Sequence, residues 1–236
     1  MRSEDTKQSP ARRPESGNTI LEFALVMTFL VPMFAGAFTV GMALTKAIQV
    51  SNVARDAVVL MVRSNSDPES GLDLSVTQNQ RIIVRAAQGL GMNSDAQDDP
   101  SSTGSAVVIL SKVVMVGPTE CSLAGLTPNA TSPFWDTGNC PNYGSYVFEY
   151  RVVIGNGSRW TSTIGNPGGT VQSNGTITAT DIASNSSDVA GTFSAVTGMT
   201  LSASTYALVS EMYADVSYLN FFSVMSNPVI YARSIS

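Results

Sequence analysis

The sequence predicts an α+β protein in which a long, partly transmembrane N-terminal helix packs on an exported domain with an antiparallel β-sheet. Three observations support this class: a charge-free apolar segment over residues 23–45, an apolar stripe with helical spacing directly after it, and β-branched segments at 106–116, 146–155 and 205–219. Stretches rich in Gly, Ser, Thr and Asn separate the β-branched segments. The 236 residues are enough for one ordinary domain plus an anchor.

The apolar segment from Phe23 to Thr45 contains 23 residues without a charge. A helix crosses the hydrocarbon core of a bilayer with about 20 apolar residues, and no later segment of this chain is comparably long. We therefore predict a single transmembrane helix near the N-terminus. Pro32 lies inside it and removes one backbone hydrogen bond, so we expect a helix kink there.

The distribution of charge predicts how the chain crosses the membrane. Residues 1–17 carry a net charge of +1, with Arg12 and Arg13 nearest the apolar segment, whereas the rest of the chain carries −6. Since basic residues stay on the cytoplasmic side, the N-terminus is expected in the cytoplasm and the C-terminal domain in the periplasm, with the inner membrane crossed once. No block of Lys or Arg follows the anchor, which argues against a nucleic-acid partner.

The helix is expected to continue beyond the membrane. It begins near Asn18 or Thr19, either of which can cap a helix, and it places Glu22 in or near the first turn, where the helix dipole favours an acid. Apolar residues then recur at steps of three and four: Val50, Val53, Ala54, Ala57, Val58 and Met61. This spacing predicts a helix over residues 18–63 whose outer half lies against the domain, and a second helix is predicted over residues 76–90.

The remaining residues, 64–236, form the predicted exported α+β domain. Besides the three β-branched segments, short strands around 160–164 and 176–180 are further candidates, separated by glycine-containing turns. The aromatic C-terminal segment 218–236 fits a core strand, a packed tail or a contact surface.

The two cysteines, Cys121 and Cys140, lie in one loop-rich region of this domain. In an exported protein such a pair predicts a disulfide, which the entropy model values at about 3 kcal/mol for a loop of this length. The alternative is two free thiols in a reducing compartment. A metal site is not predicted, because the chain has no histidine and no C-x-x-C motif.

Catalysis is not expected of this chain, and neither is a cofactor. Without histidine it lacks the commonest general base, and it contains no G-x-S-x-G, P-loop or dinucleotide-binding motif and no evident carboxylate pair.

The segment around Gly17 resembles the class III signal of type IV pilins and pseudopilins: a basic leader, a glycine, four residues, a glutamate and an apolar helix. The resemblance implies that a prepilin peptidase removes residues 1–17 by cutting between Gly17 and Asn18 on the cytoplasmic face. Glu22 would then be the fifth residue of the mature chain and contact the N-terminal amine of a neighbouring subunit. A carboxylate entering hydrocarbon costs a few kcal/mol, and an ammonium group beside it offsets that cost.

Two stretches, "ILEFALVMTFLVPMF" and "VSNVARDAVVLMV", resemble more specifically the TadE-like family, the minor pilins of tight-adherence pili. The matching positions are Glu22, Phe23, Ala24, Leu25, Val26, Pro32, Ala54, Arg55 and Ala57. The resemblance implies a structural subunit, a minor pilin or pseudopilin, that works with a prepilin peptidase, other pilin subunits and the inner-membrane assembly machinery, and that ends in the pilus at the cell surface.

Other interpretations of the N-terminal segment remain open. Glu22 also fits an ordinary signal anchor, and the small residues Ala35, Gly36 and Ala37 fit a cleaved secretory signal with a mature chain starting near Phe38. The alternative function is that of a membrane-anchored periplasmic envelope or binding protein that does not polymerise.

Overall fold

A computed structural model describes residues 16–66, 74, 77–92, 104–128, 134–217 and 229–236. The helices are α1 (Ser16–Ser66), α2 (Thr77–Ala86), α3 (Pro118–Leu123), α4 (Ala179–Ser184) and α5 (Phe193–Thr197). The strands are β1 (Ala106–Met115), β2 (Tyr146–Gly155), β3 (Tyr206–Asp215) and β4 (Val229–Ile235).

The chain divides into two units, Met1–Met42 and Ala43–Ser236. The described part of the first unit is the N-terminal part of α1. The second unit holds the C-terminal part of α1, the other helices and the sheet, so the predicted α+β class is confirmed.

The four strands form one sheet in the order β2-β1-β3-β4, and every neighbouring pair is antiparallel. β1 and β3 lie in the centre and are buried along nearly their whole length, which explains why residues 106–110 are apolar without alternation. The register between β1 and β2 shifts between Lys112 and Val113, where β2 carries one extra residue, Glu149.

One face of the sheet is covered by the C-terminal part of α1 and by α2. The predicted stripe on α1 is buried there: Val50, Val53, Ala54, Ala57, Val58 and Met61. It packs in the same core as residues of three strands, including Val108, Leu110, Val152, Ile154, Leu208 and Met212. Because β-strand side chains alternate, these strand residues share one side of the sheet.

The opposite face carries a second core built from the short helices and loops between the strands. Its largest side chains are Phe148 and Phe193, both fully buried, together with Val147, Ile164 and Val209. The rings of Phe193 and Tyr146 lie with their centroids 5.1 Å apart. The long Gly, Ser, Thr and Asn-rich connection therefore forms part of a packed layer.

Several boundaries differ from the prediction. α1 begins at Ser16, before the predicted caps, and α2 is shorter than expected, because positive φ angles at Gly89 and Gly91 follow it. The candidate strand at 160–164 is absent from this described stretch, and at 176–180 only Thr176 pairs, through a single bridge to Tyr150.

The chain turns into α4 instead, because the side chain of Thr178 accepts a hydrogen bond from the Asp181 N–H and caps a helix there. The C-terminal segment contains the edge strand β4, and its residues 218–228 lie outside the described residues.

Candidate functional site

The predicted cleavage site lies within the first turn of α1. The helix already includes Gly17 and Asn18, although the side chains of residues 16–18 are outside the described part of the chain. Since α1 begins at Ser16, Glu22 lies in the second turn of the uncleaved chain, near the first turn but not in it. A chain cut after Gly17 could not begin its helix before Asn18, which would return Glu22 to the helix start.

From Ile20 to Ile48, most large apolar side chains of α1 are solvent-exposed, on every side of the helix. Phe23 is 61% exposed, and large apolar residues up to position 48 are exposed similarly: Ile20, Leu21, Leu25, Val26, Phe29, Leu30, Val31, Met33, Phe34, Phe38, Val40, Leu44 and Ile48. Among the described residues α1 is the one helix long and apolar enough to cross a membrane, with a mean hydropathy of 2.1. A helix that exposes apolar residues all round needs an apolar surrounding, either lipid or other helices.

Pro32 lies in the middle of this exposed region, inside α1. It has no N–H to donate to the carbonyl of Thr28, one turn earlier. The hydroxyl of Thr28 itself donates to the Ala24 carbonyl at 2.8 Å, and the hydroxyl of Thr39 donates to the Ala35 carbonyl at 2.7 Å. Both threonines thus satisfy their polar hydrogen within the helix, which suits an apolar environment. The expected kink at Pro32 stays a prediction.

Cys121 and Cys140 form a disulfide, and both residues are fully buried. Cys121 lies in α3, directly after β1, and Cys140 lies in the turns that precede β2. The bond belongs to the core that also contains Phe148 and Phe193, so it joins two segments that pack under the same face of the sheet.

A buried carboxylate that was not predicted from the sequence, Glu211, lies in the centre of β3. Its side chain is fully buried and accepts hydrogen bonds from the Thr163 N–H at 3.0 Å, the Tyr231 hydroxyl at 3.0 Å, and the hydroxyls of Thr163 and Ser162. These donors come from the loop after β2 and from β4. An acid in the middle of a mostly apolar strand was the signal that could have revealed it.

A buried cation lies on the neighbouring part of the same face. The Arg151 guanidinium donates to the Gly165 carbonyl and lies over the Phe148 ring, 4.7 Å from its centroid. Burial lowers the pKa of Arg151 to about 10, although the nearby charges of Glu211 and Tyr213 act in the opposite direction. Because the folded pKa lies below the unfolded one, burying this charge costs stability at every pH below about 10.

A partly buried ion pair lies at one end of the sheet, between the half-exposed Arg159 and the buried Asp215. Burial alone would raise the pKa of Asp215. Hydrogen bonds from Ser217, together with the charge and hydrogen bond of Arg159, outweigh that effect and lower it. The Arg159 guanidinium also lies 4.8 Å from the centroid of the Trp160 ring.

The described residues offer no evident donor set for a metal ion. They contain no group of three or more potential metal ligands among His, Cys, Asp and Glu. A cavity of about 360 Å³ lies beside the end of α1, with Met61, Leu74 and Leu208 in its wall and the ion pair of Lys112 and Glu149, 2.9 Å apart, at its side. The cavity is therefore mainly apolar, and the charges of Lys112 and Glu149 beside it neutralise each other.

Residues 17–58 match the family model described as TadE-like protein. The match begins at the predicted cleavage site and includes the exposed apolar part of α1 and most of the buried stripe, but it covers less than a fifth of the chain. The resemblance inferred from Glu22, Phe23, Pro32 and Arg55 is therefore confirmed for this segment. No curated protein and no solved structure matches the chain.

Proposed function

We propose that this chain, TadE-like over residues 17–58, is a structural subunit of the minor pilin or pseudopilin type in a tight-adherence pilus. One observation carries the proposal: the family match coincides with a helix whose residues 20–48 expose apolar side chains on all sides. Such a surface suits first a lipid bilayer and then the helices of other subunits. The TadE-like match indicates a pilus-associated protein with a structural role.

The proposal includes processing of the N-terminus. A prepilin peptidase removes the leader, residues 1–17, and leaves Asn18 as the first residue. Residues 18–63 then form the assembly helix, with its spanning part at about 23–45, and residues 64–236 form the domain in the periplasm. The inner-membrane assembly machinery moves the subunit from the membrane into the pilus at the cell surface.

Glu22 is the proposed assembly residue. Its carboxylate follows Asn18 by four positions, so the two residues share one helix face. Cleavage creates an ammonium group at Asn18, and packing of helices side by side brings the ammonium group of one subunit to the Glu22 carboxylate of another. The ion pair offsets the cost of moving the carboxylate into hydrocarbon, since neither charge is left alone there.

Mass spectrometry and filament assays test both steps on the full chain produced with its pilus system. We expect a mature chain that starts at Asn18, and we expect Glu22→Ala to remove most of the protein from sheared filaments. The matched control is Glu15→Gln, an acid in the leader that cleavage discards, which should assemble normally. An intact Met1 or a start near Phe38 contradicts the processing, and normal assembly of Glu22→Ala contradicts the role of Glu22.

The competing function is that of an anchored periplasmic envelope or binding protein. The apolar cavity beside the end of α1 is the observation that favours it. The two functions differ in one result: a subunit appears in filaments sheared from the cell surface, whereas an envelope protein stays with the membrane fraction whatever residue occupies position 22.

A further inference from the structure

We propose that one end of the unit Ala43–Ser236 rests against the phosphate groups of membrane lipids, through the turn that follows α2 and through Lys46 and Arg85. The inference rests on the proposed membrane span of α1. It adds a second contact with the membrane, made by the folded domain.

The depth of this turn relative to the membrane follows from its contacts with α1. Lys46 is the first charged residue after the charge-free segment, and its Nζ donates to the Gly89 carbonyl at 2.8 Å. Gln49 donates through Nε2 to the Gln88 carbonyl at 2.7 Å. Lys46 and Gln49 are three residues apart, or about 4.5 Å along a helix axis. The headgroup layer on each side of a bilayer is roughly 5–7 Å deep, so the turn lies at headgroup depth.

The charges at this end suit phosphate. The carbonyl end of α2 is the negative end of its dipole and would by itself repel an anion. Lys46 places an ammonium group on the Gly89 carbonyl in the turn that follows α2, and Arg85 is exposed in the last turn of α2. Arg85, Gln88 and Gly89 line the same surface groove. An exposed arginine has the length to reach a phosphate while its stem stays on the protein.

The start of the sheet lies at the same end of the unit. The Ser105 N–H donates to the Gly91 carbonyl at 2.8 Å, and the Asn156 N–H donates to the Ala106 carbonyl at 3.1 Å. The turn after β2 is therefore next to the turn after α2. It carries Arg159, whose side chain is 48% exposed and is paired with Asp215, so this turn adds no net charge to the surface.

Fluorescence quenching tests this position with the full chain in vesicles of phosphatidylcholine and phosphatidylethanolamine, a fraction of which carry a nitroxide on the headgroup. Zwitterionic lipids are used because the segment 93–103, outside the described residues, contains three aspartates. A dye on Gln88→Cys should be quenched several-fold more than a dye on Ser202→Cys. Ser202 is exposed and precedes β3, whose ten residues span about 33 Å away from this end. Equal quenching overturns the proposal.

The charge contribution is tested in the Gln88→Cys chain. Arg85→Gln should lower the quenching, whereas Arg63→Gln, an exposed arginine in the last turn of α1, should leave it unchanged. No change with Arg85→Gln overturns the phosphate contact. A wash of the vesicles with alkaline carbonate tests the membrane span separately from the headgroup contact. A chain that is washed out overturns the membrane span of α1. A chain that stays in the vesicles but shows equal quenching at both positions overturns the headgroup contact alone.

Discussion

Glu211 shows how one residue holds distant segments of the domain together. Its carboxylate has no exposure to solvent and receives four hydrogen bonds from two segments, the loop at 162–163 and strand β4. Three of these bonds converge on Oε1, and the fourth, from the Ser162 hydroxyl, reaches Oε2. The residue therefore fixes the edge strand and the loop after β2 to the centre of the sheet.

Replacing Glu211 by Gln should lower the free energy of unfolding by about 1–3 kcal/mol, because hydrogen bonds to a neutral amide oxygen are weaker than hydrogen bonds to a carboxylate. Urea unfolding of the full chain in detergent measures the change. Glu149→Gln is the matched control, since this acid is partly exposed and its ion pair with Lys112 should contribute about 1 kcal/mol or less. Equal losses for the two variants would contradict the central role of Glu211.

At the scale of elements, α1 meets two environments along its length. Its side chains are largely exposed up to residue 48, whereas the stripe from Val50 to Met61 is fully buried against the sheet. The short helix α3 works differently. It is only six residues long, and a disulfide at Cys121, along with a side-chain contact from Glu120 to the Gly117 N–H at 2.8 Å, holds it. A helix this short is not stable by itself, so these links decide its position.

The disulfide should contribute measurably to the stability of this region. Replacing both Cys121 and Cys140 by Ser should lower the free energy of unfolding by about 2–5 kcal/mol, because the unfolded chain loses a constraint and the second core loses a contact. Unfolding in the presence and absence of reductant measures the contribution of the disulfide. The double variant is the control, because reductant should not change its stability. An unreduced chain about 2 Da heavier than the bonded form, one hydrogen per thiol, would contradict the link.

At the scale of the whole molecule, the boundary between the units falls within α1, between Met42 and Ala43. The second unit includes the stripe that closes the core on one face of the sheet. The helix therefore serves each unit separately: its first part provides an apolar surface, and its second part is a structural element of the domain.

Two truncations should behave differently. Residues 43–236 should be soluble and keep the unfolding temperature of the domain, since the exposed apolar segment is removed and the core is intact. Residues 64–236 should aggregate, because each buried Val or Met lost from the stripe removes about 1.5–3 kcal/mol of burial. Circular dichroism and size-exclusion chromatography compare the two. A 64–236 fragment that folds with an unchanged melting temperature would contradict the role of the stripe in the domain core.

The sequence was sufficient for features that depend on a contiguous stretch of chain. The apolar segment after Glu22, the buried stripe on α1 and the strands at 106–115 and 146–155 follow from local composition and periodicity, and the structure bears them out. Local signals were insufficient between residues 155 and 205, where Thr178 caps a helix at a place that looked like a strand. Several short elements compete there, and packing selects among them.

By itself the sequence determined that this protein has an N-terminal helix suited to a membrane, and it predicts a pilin-like cleavage segment, because both depend on adjacent residues. Only the tertiary structure decided the strand order β2-β1-β3-β4, the burial of Glu211 and the position of the turn at Gly89 beside Lys46. These features join residues far apart in the chain, and their energies depend on which surfaces meet after folding. No pattern within a short window of sequence specifies such contacts.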